Sequence, residues 1–318
     1  SNHVRMADEA IALAVAGPAA YLNIEAIIAA AKQAGADAIH PGYGFLSERA
    51  DFAQACEAAG ITFVGPTAQQ LNQFGDKGQA IALAKACGVP TMPSTQGDAS
   101  LEEISAFFEA QGGNGIVIKA VGGGGGRGMR VVVNREELPE AYARCKAEAQ
   151  SAFGLSAVYG ERLVVRARHV EVQVIGDGQQ AIALGERDCT LQRRFQKLIE
   201  IAPSPLLSPV LRSQMMDAAL KMARQVGYRS LGTFEFLVEE DQNGKQLNVV
   251  FIEANPRLQV EHTVTEQVTG VDLVAVQLQV AQGKTLLQLG LDPQHPPAVR
   301  GYAIQVRINS ESTDDKGM

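Results

Sequence analysis

Residues Phe251 to His262, FIEANPRLQVEH, constrain this chain more than any other stretch. Side chains of an extended strand point alternately to opposite faces. The odd positions are Phe251, Glu253, Asn255, Arg257, Gln259 and Glu261, and the even ones are Ile252, Ala254, Pro256, Leu258 and Val260. Read as one strand, the run has a wholly apolar face. Behind Phe251, the other face carries carboxylate, amide, guanidinium, amide and carboxylate. A face like that is costly to keep dry, so the pattern predicts that it meets something charged.

The rest of the composition narrows the class. A chain of 318 residues, 46% hydrophobic, can build two or three domains with a sizeable core. Its 28 basic and 35 acidic residues leave a formal charge of −7, the wrong sign for unspecific nucleic-acid binding. Cys56, Cys87, Cys145 and Cys189 lie far apart without CxxC spacing, which argues against a zinc site or a disulfide framework and fits a reducing cytosol. No apolar run approaches the roughly 20 residues of a membrane span, and the first residues lack the apolar core of a signal peptide.

Strand and helix patterns alternate at the start. Helices are expected over Tyr21–Ala34 and Glu48–Ala59, and strands over Asp37–His40 and Ile61–Val64, which implies a parallel α/β sheet. Helical patterns follow at Asp76–Cys87, Leu101–Gln111 and Glu136–Ser151. Strands are expected over Gly115–Val121, Met129–Val133, Val158–Val165, His169–Ile175 and Ala181–Leu184. A helix is expected over Pro209–Val226. Thr233–Val238 and Val249–Ala254 read as a hairpin turning at Asn243-Gly244. Val271–Ala281 closes the helical patterns, and Val299–Ile308 reads as a last strand.

Several groups in this framework suit phosphate, metal and anion chemistry. Gly122–Gly128, GGGGGRG, lies between two strand patterns and suits a mobile lid whose amides cradle phosphates. It is neither a P-loop nor a dinucleotide fingerprint, because no GK[ST] and no helix follow it. Lys119, just before this loop, and Lys77, near the start of the helix opened by Gly75-Asp76, are candidates for phosphate neutralisation. Arg187, Arg193, Arg194 and Lys197 cluster in a segment that reads as a structured cleft for phosphate or bicarbonate. Across the expected hairpin Glu235 and Glu253 can face each other, and a magnesium ion between them would relieve their repulsion, with Asn255 as a further ligand. Arg257 can grip a planar oxyanion, and Glu261 beside it can act as a general base. Cys189 reads as a buried structural thiol, and His40 and His295 as structural histidines.

These residues fall into motifs that resemble the biotin carboxylase component of biotin-dependent carboxylases, an ATP-grasp enzyme. The motifs are HPGYGFLSE (His40–Glu48), GDK (Gly75–Lys77), IKAVGGGGGRGMR (Ile118–Arg130), RHVEVQV (Arg168–Val174), ERDCTLQRR (Glu186–Arg194), GTFEF (Gly232–Phe236), EANPRLQVEHTVTE (Glu253–Glu266) and QVRINSE (Gln305–Glu311). They run in order through nearly the whole chain. The resemblance implies an ATP-grasp fold of mixed α/β class, with a glycine-rich lid at about 115–165 inside an ATP-grasp domain over 75–292. A partial Rossmann-like α/β domain over 1–74 would precede it, and the start of a C-terminal β-rich domain over 293–318 would follow. The family's first strand, glycine turn and helix are missing, so the chain is expected to be part of a longer protein. Phe195 stands where the family usually has histidine, and Arg162 where it usually has lysine.

The implied reaction uses Mg-ATP (manganese could replace magnesium) and bicarbonate to form carboxyphosphate, then carboxylates biotin on a carrier domain. By resemblance, Lys77, Lys119 and Lys197 would neutralise phosphates, and Gly124, Gly125 and Gly126 of the lid would cover them. Glu161 and Val164 would meet adenine, and His169 and Gln192 would line the nucleotide site. Glu235, Glu253 and Asn255 would hold the metal. Arg257, Gln259 and the Val260 amide would bind bicarbonate, Glu261 would deprotonate it, and Arg307 would stabilise the biotin enolate. Implied partners are a biotinylated carrier domain and a carboxyltransferase, with a homodimer at full length and no nucleic acid or membrane. The expected location is the cytoplasm, or the mitochondrial matrix in a eukaryote. Two other readings stand beside this one: another ATP-grasp carboxylate–amine ligase, or a degenerate nucleotide-binding module.

Overall fold

The computed structural model describes residues 2–13, 16–121, 128–193 and 196–308. Near its N-terminal end, β1 (Ala38–Ile39) and β2 (Thr62–Phe63) pair in parallel, as the alternation predicted. Helices Ile24–Gln33 and Ala50–Ala58 pack with them around Phe52, Cys56, Phe63 and Leu71. The short helix Ala68–Gly75, opened by a Thr67–Gln70 capping box, has no counterpart among the expected elements.

The next unit is a three-stranded antiparallel sheet of β3 (Ile116–Ala120), β4 (Met129–Val132) and β5 (Val158–Arg162), with β3 in the middle. Helices Leu101–Ala110 and Leu138–Phe153 cover it through Ile104, Phe108, Leu138 and Cys145. Lys119 pairs with Met129, so the glycine run joins the ends of a hairpin. Gly124, Gly125 and Gly126, and also Arg194 and Phe195, lie outside the described residues.

The largest sheet is wholly antiparallel. It contains β6 (Ala167–Asp177), β7 (Ala181–Arg193), β8 (Gln196–Ala202), β9 (Arg229–Glu240), β10 (Gln246–Asn255) and β11 (Ala303–Val306), in the order β10-β9-β6-β7-β8-β11. β7 runs nine residues beyond the expected end at Leu184, and β8 was not expected at all. Their polar side chains hide the usual strand signal because they face a site rather than a core.

Alternation divides the work of this sheet. Val170, Val172 and Val174 of β6, with Phe234 and Phe236 of β9, pack against helix Pro209–Gln225 through Met215, Ala219 and Met222. On the opposite face, Ile175, Leu184 and Leu231 pack under helix Leu273–Ala281. Along β6 and β9 that same face continues into His169, Glu171, Gln173, Thr233 and Glu235. One end of the face is therefore dry and the other polar.

The strand reading of residues 251–262 needs correction. β10 ends at Asn255, and helix His262–Thr269 begins just after Glu261. A register shift lies between the pairs Phe251↔Phe236 and Glu253↔Glu235. Ile252 is the extra residue of this bulge, which reverses the alternation. Phe251 is thus buried in the core, not beside Glu253, while Ile252 turns toward the cleft.

Gly176 near the end of β6 gives a test of this packing. A Cβ there would lie 2.0 Å from the Tyr228 carbonyl oxygen, which the backbone must move to relieve. Gly176→Ala is expected to destabilise the chain by about 1–3 kcal/mol in chemical denaturation. Gly75→Ala meets nothing within 4 Å and should leave the midpoint unchanged or slightly raised. Equal midpoints for both variants would contradict the packing described.

Candidate active site

Apart from Arg187 and Arg193, every described residue among the site candidates lines one cleft of about 860 Å3 between the large sheet and the three-stranded sheet. Lys77 is the first residue of helix Lys77–Ala86, held at the cleft mouth by the Asp76 cap. Burial works against its charge, but Tyr159, Glu253 and Glu161 raise its pKa. Lys119 on β3 forms an ion pair with Glu161 on β5, so two candidates of one sheet are locked together. Val164 follows on the segment leading to β6 and faces the same space.

On the large sheet, Glu235 and Glu253 pair in register across β9 and β10, as the hairpin predicted. Glu235 is saturated with donors. Its Oε1 accepts from Lys197 (2.8 Å), Asn255 (2.8 Å) and Gln259 (3.2 Å), and its Oε2 meets His169 Nε2 at 2.5 Å. Burial opposes ionisation of Glu235, yet Lys197 and His169 hold its pKa well below the usual carboxylate range. The Glu253 pKa moves the other way, raised by the cleft walls that strip its solvent and then by the Glu235 charge. The donor set fits a divalent cation. It offers two opposed carboxylates, one of them destabilised by the other, with an amide oxygen alongside.

His169 Nδ1 accepts from the Gln192 amide at 2.8 Å, and the same amide nitrogen donates to the Cys189 carbonyl at 2.8 Å. Gln192 thereby keeps Nδ1 unprotonated and leaves Nε2–H directed at Glu235. Cys189 itself is a buried free thiol, its pKa pushed well up by burial, which agrees with a structural role.

Lys197 joins Glu235 to Glu261. Its Nζ bonds Glu171, Glu235 (2.8 Å) and Glu261 (2.8 Å). Burial alone would lower its pKa, but these carboxylates raise it well above normal. The other Glu261 oxygen accepts from Arg307 at 2.7 Å, and Arg307 Nε also meets the buried Glu200 at 2.6 Å. Burial raises the Glu261 pKa, but Lys197, Arg187 and Arg307 outweigh it and hold the group ionised. Arg257 is held by the Asn255 amide oxygen at 3.2 Å and by Glu48 at 3.1 Å, which comes from the HPGYGFLSE segment. Val260 lines the cleft between Gln259 and Glu261.

Two residues of the site escaped the sequence reading or were misplaced by it. Glu171 was not singled out, although His169, Glu171 and Gln173 alternate with three valines and announce a polar face. Arg187 was grouped with residues awaiting phosphate. It is fully buried beneath the cleft and bonded to Glu171, so it cannot touch a phosphate. Further along the same segment Arg193 is exposed and Lys197 lines the cleft.

Residues 76–289 match the family described as "Carbamoyl-phosphate synthase L chain, ATP binding domain", and residues 1–71 match "Biotin carboxylase, N-terminal domain". The chain is 50% identical over 312 residues to mitochondrial pyruvate carboxylase of Mus musculus, covering 97% of this chain and 26% of that protein. Against pyruvate carboxylase of Bacillus subtilis (strain 168) the identity is 49% over 303 residues, covering 94% and 26%. The chain thus spans about a quarter of the length of these curated relatives. A biotin carboxylase complex from Campylobacter jejuni superposes with a TM-score of 0.90 at 42% identity, over 98% of this chain and 68% of that one. The biotin carboxylase domain of Hydrogenobacter thermophilus 2-oxoglutarate carboxylase, a dimer in complex with MgADP, ADP and bicarbonate, superposes with a TM-score of 0.87 at 44% identity, over 97% and 66%.

The chain belongs to the biotin carboxylase family, whose members are ATP-dependent ligases that form carbon–nitrogen bonds. Its fold is the mixed α/β ATP-grasp fold that the motifs implied.

The site makes a pH prediction. Glu235 has a lower pKa in the folded chain than the unperturbed carboxylate value of about 4.3. Its contribution to stability is therefore present above that value and lost as pH falls through the folded one. Glu235→Gln should flatten the decline in Tm recorded from about pH 5 to pH 2. An acid limb as steep as the parent's would contradict the electrostatics assigned to Glu235.

Proposed function

We propose that this cleft cleaves ATP with bicarbonate to form carboxyphosphate and passes the carboxyl group to biotin. The observation that carries this reading is Glu261, an ionised carboxylate held between Lys197 and Arg307 next to Arg257 and Gln259. In the first half-reaction the Arg257 guanidinium, the Gln259 side chain and the Val260 amide hold bicarbonate. Glu261 takes its proton as a bicarbonate oxygen attacks the γ-phosphorus and ADP leaves. Lys77, Lys119 and Lys197 offset the charge on the phosphates. The glycine loop that includes Gly124, Gly125 and Gly126 closes over them, while Glu161, Val164, His169 and Gln192 bound the nucleotide. Glu235, Glu253 and Asn255 would hold magnesium, or manganese, which when bound offsets the repulsion of the two acids and the charge of the triphosphate. In the second half-reaction the C–O bond of carboxyphosphate breaks, the departing phosphate takes the ureido N–H proton, and Arg307 stabilises the negative charge on the biotin ureido oxygen as the nitrogen takes the carboxyl group.

Biotin would arrive on a carrier domain, and a carboxyltransferase would pass the carboxyl group on to the final acceptor. We place the domain limits at 74/75 and 292/293, and a homodimer as the assembly of the full-length protein. Among the described residues no helix is long and apolar enough to cross a membrane. The two curated relatives carry mitochondrial and bacterial names, and we place this chain in the bacterial cytoplasm or the mitochondrial matrix.

Glu261→Gln tests the base. Bicarbonate-dependent ATP cleavage, followed as phosphate release with free biotin present, should fall by about 100- to 10,000-fold. A rate equal to the parent's would remove Glu261 from that role.

A further inference from the structure

Arg187 is 0% exposed in side chain, and all five N–H donors of its guanidinium find an acceptor. Nε donates to Glu171 at 2.6 Å. One terminal nitrogen donates to Gln173 (2.7 Å) and Thr265 (2.9 Å), the other to Thr233 (3.2 Å) and Gln259 (3.2 Å). These partners come from β6, β9, helix His262–Thr269 and the turn after β10. Two of them lead straight into the cleft. The other oxygen of Glu171 holds Lys197, and the Gln259 amide nitrogen donates to Glu235 at 3.2 Å.

From this geometry we infer that Arg187 is the positioning residue for the bicarbonate half of the site, acting through Gln259 and Glu171 without touching a substrate. The inference rests on the reading of the cleft given above. The Gln259 amide can turn over to exchange its oxygen and nitrogen. Its oxygen is fixed by Arg187, so its nitrogen is committed to the cleft side. Glu171 can hold Lys197 in place only while its first oxygen is satisfied, because an unpaired buried carboxylate would be neutralised or would draw the ammonium away from Glu261. No bond from Arg187 reaches Lys77, Lys119 or the strand end that carries Glu253. Arg187 does reach Lys197 and Glu235 through Glu171 and Gln259, but those two also hold each other and are held by Glu261, His169 and Asn255. Gln259 itself meets bicarbonate, so the influence of Arg187 should fall more on bicarbonate than on nucleotide.

Arg187→Lys keeps the charge but replaces a five-donor fork with one ammonium. Steady-state phosphate release, measured with bicarbonate and Mg-ATP varied in turn, should show kcat/KM for bicarbonate falling about 10- to 100-fold. KM for Mg-ATP should stay within about threefold of the parent. Thr265→Val removes one acceptor at nearly constant shape and guards against a folding failure. It should move kcat/KM for bicarbonate in the same direction by about 2- to 10-fold. Arg212→Met breaks the Arg212–Glu186 pair outside the cleft (2.8 Å) and should change neither constant selectively. Equal losses for bicarbonate and Mg-ATP in both Arg187→Lys and Thr265→Val would overturn the inference, as would no change in either variant. A parent protein that cleaves ATP at the same rate with and without bicarbonate would instead overturn the underlying reading of the cleft.

Discussion

The ion pair between Arg187 and Glu171 is the interaction on which the rest of the site depends. It lies where one face of the large sheet changes from a dry core to a charged cleft. On one side Ile175 and Leu231 pack under helix Leu273–Ala281. On the other, Lys197 gathers Glu171, Glu235 and Glu261. A lone carboxylate this deep would lose its charge, and a lone guanidinium would be left with unpaired donors. Together, and with every donor used, they form a floor that can carry further charges above it.

That floor explains how so many ionised groups share one space. Lys197 is the only cation among the described residues that reaches both Glu235 and Glu261. The three carboxylates keep the ammonium charged, and the ammonium keeps Glu235 and Glu261 ionised. Among the described residues Glu253 forms no ion pair, and burial with the Glu235 charge raises its pKa against the pull of Lys77. The contrast within one hairpin pair separates a compensated carboxylate from an uncompensated one.

Much of this was legible in the sequence, though not always for the right reason. The hairpin that opposes Glu235 to Glu253 follows from two strand patterns and an Asn-Gly turn. The structure gathers Glu253, Asn255, Arg257, Gln259 and Glu261 in one cleft, but the continuous strand that selected them does not exist. A bulge at Ile252 and a turn after Asn255 bring them together instead. Those three-dimensional features leave no mark on an alternation of polar and apolar residues. Arg187 fails for a related reason. A run of basic residues reads as an anion site, and nothing local says that one of them is enclosed while Lys197 reaches the cleft. Arg307 entered only through resemblance, because its acidic partners Glu200 and Glu261 are far away in sequence.

The central claim is that a bicarbonate oxygen, held beside Glu261, attacks the terminal phosphorus of ATP. Oxygen transfer reports that bond directly. With bicarbonate labelled uniformly with oxygen-18, attack at phosphorus followed by cleavage of the carbon–oxygen bond leaves one labelled oxygen on each phosphate released. Mass spectrometry of that phosphate should therefore show a single labelled oxygen incorporated in step with ATP cleavage. Phosphate that carries no label while ATP is consumed would mean that water attacks instead, and the assignment of Glu261, Arg257 and Gln259 to bicarbonate would fall.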